Sequence, residues 1–353
     1  MPVSLTLALA AALLALLLTP LARRLAIHWG AIDHPGPRRI HAQPMPRMGG
    51  LAIAAAVLVA AWGARLALAP VMALEARPLL GYTLAALPIV ALGLADDRWN
   101  VSPWVKLAIQ TCAAIGLSLF GYGVPVLTNP FGPAIPLGWL NLPVTILWVL
   151  TVTNAVNNID GLDGLASGVV IIACAALWVV ARLHSDFYVM FFAALLIGAC
   201  AGFLRWNFPP AKVFMGDTGS QFLGFTLATL SLLENRKGTA ALTLLLPLVA
   251  LGLPLVDTTL AFARRLVTRQ HVFRGDASHI HHRVLETGLS PRGALFALWA
   301  LCACFGLAAV LLTALPHQYA ALLITVLGAV LFLSLEWLRT RRPKARESAA
   351  RRK

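Results

Sequence analysis

Five stretches concentrate residues able to do phosphate and metal chemistry. The central one is Asn154–Leu165, NAVNNIDGLDGL, set between two apolar runs. Carboxylates and amides beside membrane-length apolar segments are costly unless they meet water, metal or substrate. Asn154 and Asn157 offer both donors and acceptors. Asp160 and Asp163 can take a metal, a sugar hydroxyl or a base N–H, while Gly161 and Gly164 permit turns. A second stretch, LGLADDRWN, ends an apolar run with Asp96 and Asp97. Acids are unfavourable at a helix C-terminus, so they need a reason to be there; pairing with Arg98 is the bland one. The third, FMGDTGS (Phe214–Ser220), is a Gly-rich loop running into a helix. Such a loop suits phosphate through free N–H groups, and Asp217 suits Mg2+, which binds through one or two carboxylates plus phosphate oxygens. Phe214 either stacks on a flat base or packs. The fourth, SHIHHR (Ser278–Arg283), places His279, His281, His282 and Arg283 together. Its spacing is wrong for common zinc sites, and a cationic cradle for a diphosphate suits it better. The fifth, Asp33–Gly50, combines Pro, Gly, three Arg and His41, as a lid or an anionic-lipid contact would.

The elements that must position these groups are membrane helices. Of 353 residues, 59% are hydrophobic and 12% charged, with a mean hydropathy of +0.80. The charge fraction is about half that of a soluble domain. Apolar runs recur at roughly 17–23 residues, the length that crosses ~30 Å of hydrocarbon as a helix. Being continuous rather than alternating, they exclude a β-barrel. The chain reads as an all-α polytopic membrane protein with eleven spans: about 3–22, 48–69, 78–95, 104–121, 140–156, 166–183, 187–204, 218–234, 239–262, 294–314 and 319–338.

With the N-terminus outside, all but five of the 28 Lys and Arg fall on inner loops or the tail. The exceptions are Arg65, Arg77, Arg182, Arg236 and Lys237. This asymmetry fixes the orientation and puts the C-terminus in the cytoplasm. It also accounts for the net charge of +14 without nucleic acid. Residues 1–338 then form one integral-membrane catalytic domain, with inner loops 23–47, 96–103, 157–165, 205–217 and 263–293. Residues 339–353 form a basic tail near anionic lipid. The segment Gly121–Trp139, rich in Gly and Pro, reads as a turn or hairpin on the outer face. Met1–Thr6 lacks the basic residues of a signal peptide. The five cysteines, all in apolar runs, read as small buried residues.

An ion-coupled transporter would hold its acids at mid-span, whereas these collect at one face. A scaffold would need none of them. Acids for a divalent metal, Arg and His for phosphate, and a lipid-accessible floor suit phosphoryl transfer from a nucleotide-linked donor to a lipid.

From Asp33 to about Glu286 the chain resembles the polyprenyl-phosphate N-acetylhexosamine-1-phosphate transferases. The DD pair, NxxNxxDGxDGLA, FMGDxGS and HxHH carry the resemblance, in the family's order. It implies a bundle of ten or eleven helices with a cytoplasmic cleft in the bacterial inner membrane. It also implies a UDP-sugar donor, undecaprenyl phosphate as acceptor and Mg2+, or Mn2+, as cofactor. Asp217 would ligate the metal with Asn157 or a nearby carboxylate. Asp96 and Asp97 would serve the acceptor, Asp97 deprotonating or orienting the lipid phosphate. Asn154, Asp160 and Asp163 would hold nucleoside and sugar, with Phe214 near uracil. His279, His281, His282 and Arg283 would bind the diphosphate and amino sugar. Attack by the lipid phosphate and a route through an aspartyl intermediate both stay open. HIHHRVLE differs from the three adjacent His of the phospho-MurNAc-pentapeptide translocases, which favours the branch initiating O-antigen and related polymers. GlcNAc is favoured over other N-acetylhexosamines and over MurNAc-pentapeptide as cargo. Self-association as a homodimer is left open.

Overall fold

The structure is a computed structural model and describes residues 2–35, 43–67, 75–127, 135–234, 249–267 and 280–314. It is helical almost throughout. The helices are α1 (Pro2–Trp29), α2 (Gly50–Ala67), α3 (Ala76–Trp99), α4 (Pro103–Leu119), α5 (Asn141–Ile159), α6 (Leu165–Leu183), α7 (Phe187–Asn207), α8 (Gly216–Glu234), α9 (Gly252–Val267), α10 (Ile280–Glu286) and α11 (Pro291–Ala314). Two short antiparallel ribbons complete the described chain. One pairs β1 (Ile32–Asp33) with β2 (Met45–Pro46), the other β3 (Val126–Leu127) with β4 (Ile135–Pro136). The second is the hairpin expected between Gly121 and Trp139.

Among the described residues, seven helices are long and apolar enough to cross a membrane: α1, α2, α3, α5, α6, α7 and α11. The chain is a multi-pass membrane protein. The expected eleventh span and the basic tail lie outside the described residues. Several helices outrun the apolar runs that announced them. α3 continues through Asp96 and Asp97 to Trp99, and α5 through Asn157 to Ile159. Polar residues in a last helical turn remain helical when their side chains find partners, and these do.

α8 is the hub of the bundle. It packs on α2, α3, α5, α6 and α7, and its residues from Thr218 to Leu232 are buried. A helix surrounded by protein can carry hydroxyls whose bonds close internally. Thr226, Thr229 and Ser231 each donate back to a carbonyl in the preceding turn. Tyr82 on α3 meets Thr226 at 2.9 Å, and Trp148 on α5 donates to Ser231 at 2.8 Å. α1 crosses α7 through small residues: a Cβ at Gly198 or Gly202 would overlap the backbone at Ala8 or Ala12. Without a hydrophobic drive between helices in lipid, such close approach is what holds them. The opposite edge of α1 exposes Leu5, Leu9, Leu13, Leu17 and Leu21, a row at four-residue spacing that suits hydrocarbon.

Candidate active site

The ends of α3, α5 and α8 meet the start of α4 in one polar layer, and the β1–β2 ribbon closes over it. Backbone bonds stitch the ribbon to the loop before α8. Phe214 N–H donates to Pro46 C=O at 2.9 Å, Gly49 N–H to Phe214 C=O at 3.0 Å, and Gly50 N–H to Met215 C=O at 2.8 Å. These bonds carry Asp33 and Arg47 to the mouth of a cavity of about 920 Å3. That volume lies in the usual range for small-molecule sites.

Asp217 opens onto this cavity, with its side chain 18% exposed. Its Oδ1 accepts from Asn157 Nδ2 at 2.5 Å, which ties α8 to α5. Its Oδ2 lies 3.5 Å from Arg47 and 3.9 Å from Lys106 Nζ. Lys106, one turn into α4, also bonds to Asp96 Oδ2. The other oxygen of Asp96 accepts from Val101 N–H at 2.7 Å, closing the tight α3–α4 turn in which Asn100 adopts a left-handed conformation. The Arg47 guanidinium spreads over Asp33 at 3.8 Å, Asp97 at 3.6 Å and Asp217 at 3.5 Å.

Asp97 has a different place from the one its motif suggested. Its side chain is fully buried and does not line the cavity. One oxygen accepts from Asp217 N–H at 2.8 Å. The other accepts from Thr218 N–H at 3.1 Å and Thr218 Oγ1 at 2.6 Å. It therefore caps α8 from a neighbouring helix. The first free N–H groups of the GDTGS helix, expected to face a phosphate, are occupied by this internal carboxylate. Gly216, at φ +72°, brings the backbone so close that a Cβ would sit 2.5 Å from Asp97 Oδ2. The Gly-rich loop thus serves helix capping.

The remaining predicted residues divide. Asp160, Asp163, Phe214 and His282 line the cavity together with Asp217 and Asn157. Asp163 Oδ2 accepts from Ala211 N–H at 2.9 Å, fixing the loop after α7. Enclosure pushes the Asp160 carboxyl well above the ordinary carboxylate range. Repulsion from Asp217, Asp97 and Asp163 adds to this, and Arg47 opposes it. Asp96, Asn154, His281 and Arg283 do not line the cavity. Asn154 points into the bundle, to Gln110 on α4. His281 is 2% exposed, with its ring centroid 4.3 Å from that of His282. His41 and His279 lie outside the described residues.

Gly161 has a role other than a turn. Its φ is not positive, unlike that of Gly164 at +75°; instead a Cβ there would overlap the His281 imidazole. The short α10, anchored by Ile280 N–H to Asp257 at 2.9 Å, docks through this contact. Gly161→Ala is expected to destabilise the fold by about 1–3 kcal/mol, as overpacking does. A thermal melt indistinguishable from wild type would show that α10 docks elsewhere.

Three functional cations were not legible as such. Lys106, Arg47 and Arg292 read in the sequence only as markers of topology or of a basic loop. Arg292 lines the far wall of the cavity and donates to Pro209 C=O at 3.0 Å. Lys106 and Arg47 are the cations that these contacts bring to Asp33, Asp96, Asp97 and Asp217. Among the described residues no group of three or more His, Cys, Asp or Glu side chains is placed to hold a metal ion. An ion at Asp217 would take one or two protein oxygens from Asp217 and Asn157 and need substrate and water to complete its shell, a donor set of the kind Mg2+ accepts.

The family model described as Glycosyl transferase family 4 matches residues 79–235, the segment from α3 to α8 that carries most of this layer. A probable undecaprenyl-phosphate N-acetylglucosaminyl 1-phosphate transferase of Bacillus subtilis is 39% identical over 302 residues, covering 84% of this chain and 81% of its own. A decaprenyl-phosphate N-acetylglucosaminephosphotransferase of Mycolicibacterium smegmatis is 37% identical over 329 residues, covering 85% and 80%. An undecaprenyl-phosphate alpha-N-acetylglucosaminyl 1-phosphate transferase of Thermotoga maritima is 31% identical over 260 residues, covering 71% and 72%. With similarity of this extent running through the cavity-bearing helices, the chain belongs to glycosyl transferase family 4.

Proposed function

We propose that this protein transfers N-acetylglucosamine-1-phosphate from UDP-GlcNAc to undecaprenyl phosphate, giving undecaprenyl-diphospho-N-acetylglucosamine and UMP. The names of its relatives support the reaction type. One observation carries the site assignment: Asp217 and Asn157, joined at 2.5 Å, face the cavity between the cations Arg47 and Lys106. A phosphate oxygen of the lipid attacks the sugar-bearing phosphorus, and the bond to the other phosphate breaks. Charge concentrates at that centre, and fixed cations offset it at no reorganisation cost.

Each group then has a task. Asp217 and Asn157 would hold Mg2+, or Mn2+ in its place, which supplies Lewis-acid stabilisation of the phosphoryl oxygens. Lys106 does not itself line the cavity; held by Asp96, it adds positive charge beside Asp217. Arg47 and Arg292 both line the cavity and would offer positive charge to a diphosphate. Asp160, lining the cavity, faces sugar or nucleoside, Asp163 holds the loop beside it, and Phe214 offers a ring face to uracil. Asp97 acts by holding Asp217, in place of the proton-accepting role its motif suggested. His282 completes the donor wall.

We further propose eleven spans, an external N-terminus and a cytoplasmic C-terminus in the bacterial inner membrane, with the cavity on the cytoplasmic face. The charge asymmetry of the loops supports this orientation. The reaction would initiate an envelope polysaccharide.

Membranes containing the protein, given labelled UDP-GlcNAc, undecaprenyl phosphate and Mg2+, should form a labelled lipid that excess UMP reverses. Absence of labelled lipid with every UDP-N-acetylhexosamine tried would sink the proposal. Running the donors side by side also decides the sugar.

A further inference from the structure

Directly beneath the site lies a second polar layer that does not line the cavity. Gln110, Asn154 and Gln221 stand on α4, α5 and α8, one turn deeper than Lys106, Asn157 and Asp217 respectively. Separations of four, three and four residues put each amide on the same helix face as its site partner. Asn154 Nδ2 donates to Gln110 Oε1 at 2.8 Å and to Leu150 C=O at 2.8 Å. Gln110 Nε2 donates onward to Gln221 Oε1 at 3.3 Å. Gln110 and Gln221 are 0% and 1% exposed, and Gln221 Nε2 has no hydrogen-bond partner. None of the three lines the cavity.

Buried amides and an orphaned donor both cost stability. Polar glue between membrane helices would explain a single link. Helix glue has no reason to lie under three site residues at once, on the three helices that bear them, with a donor left over. We propose that Gln110 is a positioning residue: through Asn154 and Gln221 it fixes the axial register of α4 against α5 and α8. That register decides whether Lys106 stands opposite Asn157 and Asp217. α4 needs such a clamp, because Lys106 reaches Asp217 only at 3.9 Å and Asp96 belongs to α3. A slide of α4 by a fraction of a turn would take the ammonium out of range.

The inference rests on the transferase reading for its kinetic test only. Gln110→Met in the full-length, detergent-purified protein keeps side-chain length and removes both amide links. Its kcat is expected to fall ~10- to 100-fold, the cost of a small misplacement, with KM for UDP-GlcNAc near the wild-type value. Mn2+ affinity, read by electron paramagnetic resonance without substrates, should rise several-fold, because the withdrawn ammonium no longer competes with the metal at Asp217. Gln221→Met is the second variant. It deletes the orphaned donor but leaves Gln110 Nε2 without its acceptor, so its melting temperature should stay near that of wild type, yet its kcat should still fall and its Mn2+ affinity should still shift. Unchanged kcat and Mn2+ affinity in folded variants, whatever their melting temperatures, overturn the proposal and leave the layer as glue. Should Gln110→Met not fold, Gln221→Met decides alone on the same criteria. Wild-type protein that binds Mn2+ but forms no lipid product defeats the transferase reading, and the positioning role is then judged by Mn2+ affinity in the variants.

Discussion

Asp217→Asn is expected to lower turnover by about three orders of magnitude while leaving the protein folded. The substitution keeps the side chain's shape and an oxygen for Asn157 Nδ2, the 2.5 Å contact that ties α8 to α5. It removes the negative charge that Arg47 and Lys106 face at 3.5 and 3.9 Å. A metal held at this position would stabilise several kcal/mol of developing charge, and each ~1.4 kcal/mol is tenfold in rate. An amide cannot replace the carboxylate as a hard, anionic ligand. Two measurements test the assignment together. Turnover with labelled UDP-GlcNAc should collapse, and Mn2+ binding by the purified variant should weaken at least as much as in any other single substitution. Near-normal turnover, or lost turnover with wild-type Mn2+ affinity, would remove Asp217 from the metal site.

The residues legible in the sequence were those whose motif and direction agree. Asp217, Asn157, Asp160, Asp163, Phe214 and His282 come from three separate motifs and reach one cavity. Each follows a Gly-punctuated turn or closes a helix end, where the side chain has little choice of direction. The all-α membrane class was legible for a similar reason, since hydrocarbon thickness sets helix length. What stayed hidden depends on depth along a helix and on what other helices bring to it. Asn154 and Asn157 differ by three residues in one motif, yet one meets the cavity and the other Gln110. Lys106 and Arg47 looked like topogenic charges because nothing local separates a lysine facing headgroups from one aimed at two carboxylates. Gly161 announced a turn, and only the approach of His281 from a distant helix explains its missing Cβ.

Asp97→Asn separates a cap from a proton acceptor, because the two roles predict different companions to the lost activity. As a cap, the carboxylate satisfies two backbone N–H groups and the Thr218 hydroxyl at once, at 2.6–3.1 Å, from a side chain with no exposed surface. An amide supplies one accepting oxygen. Its NH2 would then face the second N–H, and a buried donor left unpaired costs about 1–3 kcal/mol. Loss of the negative charge at the start of α8 adds up to ~2 kcal/mol in a buried setting. The melting temperature should therefore fall clearly. Turnover should drop ~100-fold or more, since displacing a reacting group by about 1 Å costs that much and Asp217 N–H is one of the groups released. Mn2+ affinity should weaken in parallel, because the same backbone carries the metal carboxylate. A proton acceptor predicts the reverse pattern: an unchanged melt, unchanged Mn2+ affinity and lost turnover. The geometry favours the first pattern. A carboxylate whose two oxygens already receive three hydrogen bonds, and whose buried side chain does not line the cavity, is not placed to meet a lipid phosphate there.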